Sequence, residues 1–340
     1  MKAVALTRYL PVTDPECLLD VELPAPQPAG RDLLVRVKAV SVNPVDTKVR
    51  APKDKIEQTP KILGWDAAGI VEAVGNEVSL FQPGDEAYYA GDITRPGSNA
   101  ELQLVDERIV GKKPKSLSFA EAAALPLTAI TAWESLFDRL GLDWNSDHGG
   151  TVLLIIGGAG GVGSIGIQLA KLAGLTVIAT ASRPDTESWV RELGADHVIN
   201  HHVALPEQIR ALGIKDVPCI ANFSNTDLHW PGMAEIVSPQ GKIVGIVENS
   251  GPLELGLLKS KSAGFIWEFM FTRSMYQTDD MAEQGRLLNQ VADLVDQGKL
   301  RTTLKQVLSP IKAANLIKAH ALLESGKTIG KVVLSDWDAA

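Results

Sequence analysis

In the stretch Thr151-Val-Leu-Leu-Ile-Ile-Gly-Gly-Ala-Gly-Gly-Val-Gly-Ser-Ile-Gly166, an apolar strand-like run leads straight into glycines. Gly158, Gly160 and Gly163 fill the GxGxxG spacing: one for a tight turn, one for close approach of a pyrophosphate, one for packing a helix on a strand. Amides at the start of the following helix then face the anion. Because an apolar strand precedes the pattern and an apolar-periodic segment over 165–172 follows it, the stretch reads as a dinucleotide-binding turn. The bland alternative is a glycine-rich connection between core elements.

The next strand ends Ala179-Thr-Ala-Ser-Arg183. A site for NADH carries an acidic residue about 20 positions past the glycine turn, for the ribose 2′-hydroxyl. No carboxylate stands there. Ser182 and Arg183 offer a hydroxyl and a guanidinium, which suit a 2′-phosphate, so NADPH is the expected cofactor. Asp185, beyond Pro184, is read as a loop or helix-cap residue.

Other chemistry is sparse. The two cysteines, Cys17 and Cys219, are too few for a disulfide framework or a cysteine zinc cluster. His201 and His202 are adjacent and lack ligand spacing. A net charge of -8, without long blocks of one sign, argues against nucleic acid or an anionic membrane surface as main partner. With no signal-like apolar core and no membrane-length apolar run, the protein is expected in the cytosol.

The elements that must position these residues fall into two patterns. Residues 1 to 115 carry short apolar runs (32–42, 69–74, 86–89, 100–105) punctuated by Pro and Gly, an antiparallel or barrel-like region. Segment 119–140 has helical spacing broken at Leu125-Pro126, two helices bridging the domains. From Thr151, strands at 152–156, 176–180, 197–200, 219–223 and 242–247 alternate with helices such as 163–172 and 187–193, which implies a doubly wound parallel sheet. An apolar segment over 265–271 could add an edge strand. A long helix (278–297), a strand (303–308), a helix (313–324) and a last strand (331–334) complete the chain, and this tail is expected to fold back on the first domain.

Several motifs in order carry a resemblance: Ser41-Val-Asn-Pro-Val-Asp-Thr-Lys48, Gly64-Trp-Asp-Ala-Ala-Gly-Ile-Val-Glu-Ala-Val-Gly75, Pro83-Gly-Asp85, the glycine turn, Leu193-Gly-Ala-Asp196, Ala319-His-Ala-Leu-Leu-Glu-Ser325 and Gly330-Lys-Val-Val-Leu334. Over nearly its whole length the chain resembles the medium-chain dehydrogenase/reductase superfamily, specifically its zinc-free, zeta-crystallin-like quinone oxidoreductase branch. Trp267-Glu-Phe-Met-Phe-Thr-Arg-Ser274 adds a likeness to the zinc-type alcohol dehydrogenase-like proteins. The resemblance implies an α/β fold: a Rossmann domain over 124–271, and a β-rich GroES-like catalytic domain over 1–123 and 272–340. Zinc enzymes of the superfamily have a cysteine where Asn43 stands and Gly-His-Glu in place of Gly64-Trp65-Asp66. Their further cysteines are missing too, so no catalytic metal is expected.

The resemblance also assigns roles. Asn43 and Thr128 should contact the nicotinamide end; Gly160, Gly161 and Val162, with Gly158 and Ala159, should hold the pyrophosphate. His201 stands where relatives often have a tyrosine near the adenosine phosphate. Asn222, Phe223 and Ser224, with Gly245, Ile246 and Val247, should sit at strand ends near the cofactor. Lys48, Trp65, Tyr89, Trp133, Trp267 and Phe269 are candidate substrate walls, though such aromatics are often core. Asn43, Lys48 and Tyr89 are the candidate catalytic residues.

Without a Lewis acid an isolated ketone is hard to activate, whereas a conjugated acceptor delocalises incoming charge. The expected activity is therefore NADPH-dependent hydride transfer to a quinone or an α,β-unsaturated carbonyl. The alternatives are a zinc-dependent alcohol dehydrogenase and a low-turnover NADPH-binding structural or regulatory protein. A homodimer is expected by resemblance, with 265–271 as an edge strand pairing across a twofold axis.

Overall fold

The computed structural model describes residues 1–338. The chain forms two compact units: Met1–Ile130 with the C-terminal stretch from Phe271, and Thr131–Met270.

The first unit begins with strands β1 (Lys2–Tyr9), β2 (Leu19–Glu22) and β3 (Asp32–Ser41), then helix α1 (Pro44–Arg50). Strands β4 (Lys53–Ile62), β5 (Ala67–Val74), β6 (Glu86–Tyr89), β7 (Leu102–Asp106) and β8 (Val110–Lys112) follow, then α2 (Phe119–Ala123) and α3 (Pro126–Trp133). Along β3, Leu33, Val35, Val37 and Ala39 bury one face while Arg36 stays exposed, the period-2 pattern of a strand with one wet side. Helix α1 and strand β4 escape the sequence reading for different reasons. Asn43-Pro44 looks like a turn, but it is an N-cap followed by proline at N1, closed by Asp46 at N3 as a capping box. Strand β4, rich in Lys and containing Pro60, carries no apolar alternation because it is an edge strand beside β1.

The second unit contains β9 (Val152–Ile156), α4 (Gly161–Leu172), β10 (Thr176–Thr180), α5 (Pro184–Glu192), β11 (His197–Ile199), α6 (Leu205–Ala211), β12 (Val217–Asn222), α7 (Thr226–Ile236), β13 (Val237–Gly245), α8 (Gly256–Lys259) and β14 (Gly264–Trp267). Its strands are all parallel in the order β11-β10-β9-β12-β13-β14. This is the dinucleotide-binding order of a doubly wound sheet, in which direction of winding reverses at the first strand. Leu153 to Ile156 are buried on both faces, as a central parallel strand requires. Leu154, Ile156, Ile178, Ile220, Met233 and Ile243 share one core cluster.

After β14 the chain returns to the first unit with α9 (Thr272–Tyr276), α10 (Glu283–Asp296), β15 (Leu304–Leu308), α11 (Ala313–Glu324) and β16 (Lys331–Ser335). Strand β16 pairs antiparallel with β3 and parallel with β15, so the tail completes the seven-stranded sheet of the first unit. The helix expected from Thr278 starts only at Glu283. Gln277 ends α9 in the left-handed region (φ 46°), and a Thr278–Asp280 hydrogen bond of 2.6 Å holds the turn that follows. The break at Leu125-Pro126 is observed between α2 and α3, and α3 continues as a π-helical turn, Glu134–Arg139. Among the described residues no helix is long and apolar enough to cross a membrane.

Candidate functional site

In the second unit the glycine run joins β9 to α4. The left-handed turn residue is Gly157 (φ 85°), one place before the GxGxxG pattern begins. A side chain there would be strained. The amide of Gly157 donates to Thr180 Oγ1 (3.0 Å) and that of Gly158 to the Thr180 carbonyl (3.2 Å), tying the turn to the end of β10. Gly163 is fixed by packing: an added Cβ would lie 2.3 Å from the Gly157 carbonyl oxygen and 2.7 Å from Gly158 Cα. Gly160 differs, because a Cβ there would meet only the Gly157 oxygen, at 3.5 Å, so the exposed face of the turn is open. The first intrahelical bond runs from Ser164 to Gly160 (2.9 Å), which leaves the amides of Gly161, Val162 and Gly163 without an intrahelical acceptor. Such a helix start, met by a turn with no side chains in the way, fits a pyrophosphate.

The other sequence-predicted cofactor residues of this unit lie along the same carboxyl edge of the sheet. Ser182 and Arg183 follow β10, and Arg183 Nε meets Asp185 at 3.3 Å. The cap of α5 is the Arg183–Thr186 pair, in which Thr186 Oγ1 donates to the Arg183 carbonyl at 2.8 Å; Asp185 Oδ1 accepts from the Thr186 amide, also at 2.8 Å. His201 follows β11 and lies 4.3 Å from the His202 ring at a tilt of 58°, its Nδ1 shielded from solvent and without a hydrogen-bond partner. Asn222, fully buried at the end of β12, accepts from Ser224 (3.2 Å) and donates to Thr226 (3.2 Å), whose hydroxyl donates to the Val247 carbonyl (2.6 Å). The amide of Ile246 donates to the Asn222 carbonyl at 3.3 Å. One neutral amide thus holds the loops of Phe223-Ser224 and Ile246-Val247 in place. A Cβ on Gly245 would crowd the Phe265 and Trp267 rings at 3.1–3.2 Å.

In the first unit Asn43 belongs to a buried polar cluster. Its Nδ2 donates to Asp66 Oδ2 (2.9 Å) and to the Trp65 carbonyl (3.2 Å), while its Oδ1 accepts from Lys331 Nζ. Lys331 also donates to the Val42 carbonyl (2.9 Å) and pairs with Asp66 Oδ2 (3.1 Å). Asp66 Oδ1 accepts from the Leu127 amide (2.8 Å), and Asp46 Oδ2 accepts from the Asn43 amide (2.5 Å). Asn43, Asp46, Asp66 and Lys331 are each at most 3% exposed. Burial pushes Asp46 up to about 7, with Asp66 adding to the rise and Lys331 opposing it. Burial raises Asp66 as well, against the pull of Lys331 and Asn43. The donors do not fit a zinc ion: position 65 is a buried tryptophan, and the Asn43 and Asp66 oxygens that face inward already hold an ammonium. Among the described residues no group of three or more His, Cys, Asp or Glu is placed to hold a metal.

The remaining candidates divide by exposure. Thr128 is buried, and its hydroxyl donates to the Leu125 carbonyl at 3.0 Å. Trp65 is fully buried, packed edge-on against Phe271 at 6.2 Å with its Nε1 donating to the Asp92 carbonyl. Trp133 is core, in a cluster with Phe137 and Trp144 at 4.8 and 4.7 Å. Tyr89 does not suit the expected catalytic role: the ring is fully buried, its hydroxyl lacks a partner, and burial drives its pKa far above the ordinary value. Lys48 is exposed on α1, and Trp267 and Phe269 are 43% and 45% exposed. Sequence reasoning missed Lys331 and Asp46. Asp46 was signalled by its N3 spacing after Asn43; nothing local marks Lys331.

A family model described as an alcohol dehydrogenase GroES-like domain matches residues 29–126, and one described as a zinc-binding dehydrogenase matches residues 193–334. The chain is 42% identical over 337 residues to a zinc-type alcohol dehydrogenase-like protein of Staphylococcus epidermidis, covering 98% of this chain and 99% of the relative. It is 31% identical over 345 residues to a 2-methylene-furan-3-one reductase of Solanum lycopersicum, covering 98% and 79% respectively. Its structure is similar to that of a putative zinc-dependent alcohol dehydrogenase from Rhizobium etli, with TM-score 0.95, 55% identity, and 100% and 99% of the two chains covered.

Proposed function

The chain belongs to the medium-chain dehydrogenase/reductase superfamily of nicotinamide-dependent oxidoreductases, and we propose that it is a metal-independent NADPH reductase of quinones or α,β-unsaturated carbonyls, working in the cytosol. The observation that carries this reading is the hold of Lys331 on Asn43 and Asp66, which puts an ammonium among the donors that a metal would need. When bound, the dihydronicotinamide supplies a hydride. The Gly158 to Val162 turn binds the pyrophosphate, Ser182 and Arg183 bind the 2′-phosphate, and Asn222 braces the loops beside them. Lys48, exposed on α1, is the proposed group for steadying charge on the acceptor oxygen, with the balancing proton drawn from solvent. The tomato relative's named substrate is itself a conjugated ketone, which supports an acceptor of that class.

Loss of NADPH absorbance in a panel of quinones and alkenals tests the proposal, with NADH run in parallel. Turnover with at least one conjugated acceptor and preference for NADPH are expected; no turnover with any would sink it. The names of two relatives favour a second reading, a zinc-dependent alcohol dehydrogenase. Stoichiometric zinc by elemental analysis, with alcohol oxidation lost to a chelator, would establish it instead. We further propose a homodimer formed through the edge strand β14 and the exposed Trp267 and Phe269 beyond it. Light scattering that finds only monomer would refute it.

A further inference from the structure

The two strands that end nearest the proposed 2′-phosphate site bring an unusual set of basic groups together. Strand β10 pairs with β11 through Thr180 and Ile199, and the Ala181 amide donates to the Ile199 carbonyl at 2.9 Å. Ser182-Arg183 and Asn200-His201-His202 therefore leave the sheet side by side. The second segment is a built turn: Val203 donates to the Asn200 carbonyl (3.1 Å), and the His202 amide to Asn200 Oδ1 (2.8 Å). The turn holds the two imidazoles 4.3 Å apart, with His201 Nδ1 shielded from solvent and without a partner. His229, 5% exposed on α7, is close enough to feel both rings.

The charged neighbours acting on His201 are His202 on its own turn and Arg183 from the β10 side, and those acting on His229 are His201 and His202. Among the nearby carboxylates, Asp185 pairs with the Arg183 guanidinium at 3.3 Å. Burial first, and these like charges second, hold His201 and His229 below the usual histidine range. Burial and like charge thus both disfavour the protonated imidazole at His201 and His229. A bound phosphate dianion beside Arg183 would supply a counter-charge and favour the protonated ring.

On the NADPH reading above, we propose that His201 couples recognition of the 2′-phosphate to proton uptake, so that preference for NADPH over NADH rises as pH falls toward neutrality. Calorimetric titration of the full chain with NADPH and with NADH at pH 7.5, in two buffers of different ionisation heat, measures the proton directly. The second pKa of a phosphate is about 6, so at this pH the phosphate is already a dianion and any uptake belongs to the protein. Expected are net uptake with NADPH and none with NADH, and an NADPH-to-NADH affinity ratio that falls ~5-fold between pH 7 and 8.5. The variant His201→Gln should keep an NADPH preference through Arg183 but lose both the uptake and the pH dependence. Equal uptake with the two cofactors, or uptake that persists in the folded variant, would overturn the coupling alone. Equal affinity for NADPH and NADH at every pH would overturn the NADPH reading and the coupling with it.

Discussion

The turn after β9 and the cluster around Asn43 are both polar constructions, but they are made from opposite materials. The turn is backbone: its left-handed residue, its packing and its amides without an intrahelical acceptor all come from one contiguous run, 157–163. The cluster is side chain, and its ammonium stands 288 residues along the chain from the amide oxygen it holds. A backbone site tolerates almost any neighbour but no side chain in the wrong place. A side-chain cluster tolerates shape changes but not the loss of a charge. The difference predicts how each should fail.

Gly163→Val should give the largest effect on cofactor binding, because three backbone atoms stand 2.3–2.8 Å from where the new side chain begins. Binding of NADPH by fluorescence titration should weaken by ~100-fold, the upper end of the roughly 1–3 kcal/mol scale of overpacking a fixed turn. Retained affinity would mean that the turn is softer than its geometry. Next comes Lys331→Met, which strands the Asp66 carboxyl, the Asn43 amide oxygen and the Val42 carbonyl in the interior. Removing one partner of a buried ion pair costs about 3–5 kcal/mol, measurable by urea unfolding. Adding Asp66→Asn to that variant should recover a good part of the loss. If it does not, the ammonium's bonds to Asn43 and Val42, rather than the ion pair, dominate.

The same contrast explains what was legible in the sequence. Strands β9 and β10 and helix α11 match their expected bounds to the residue, since each is marked locally by an apolar run or periodicity and by turn residues. Helix α1 was hidden because Asn-Pro signals a turn and a helix start equally well. Strand β4 was hidden because an edge strand with charged faces has no alternation. Within the site, the glycines and the Ser182-Arg183 pair could be read from spacing alone. The partners of Asn43 could not: Asp66 was noticed only as a missing zinc ligand, and Lys331 looked like any other lysine before an apolar run. Tyr89 failed in the other direction. Its type suits proton transfer, but only the structure reveals that strand β6 turns it inward.

Asp46→Asn probes how the side-chain cluster carries its charge. The folded carboxyl titrates at about 7 against 3.8 unfolded, because burial raises it. A raised carboxyl favours folding most below the unfolded value, where both states are protonated, and that advantage is lost as pH rises through about 7. Stability should therefore slope downward from about pH 4 to 7, by at most ~1.4 kcal/mol per pH unit from this group. The variant, which keeps a side-chain oxygen for the Asn43 amide, should flatten the slope. An unchanged slope would place the proton on Asp66 instead.

The smallest expected effect returns to the glycine-turn unit, where Arg183→Ala removes a side chain without touching the backbone device. Arg183 already spends part of its charge on Asp185, and it is partly exposed, so its bond to a phosphate is discounted by solvent. Affinity for NADPH should drop about ten-fold, in line with the lower end of a charge-assisted hydrogen bond, while affinity for NADH stays level. A parallel fall for both cofactors would mean that the Arg183 side chain acts through Asp185, which holds the Thr186 amide at the start of α5, and not through the phosphate. Binding at the turn and discrimination at the strand end would then no longer be separable, and the backbone site would depend on a side chain after all.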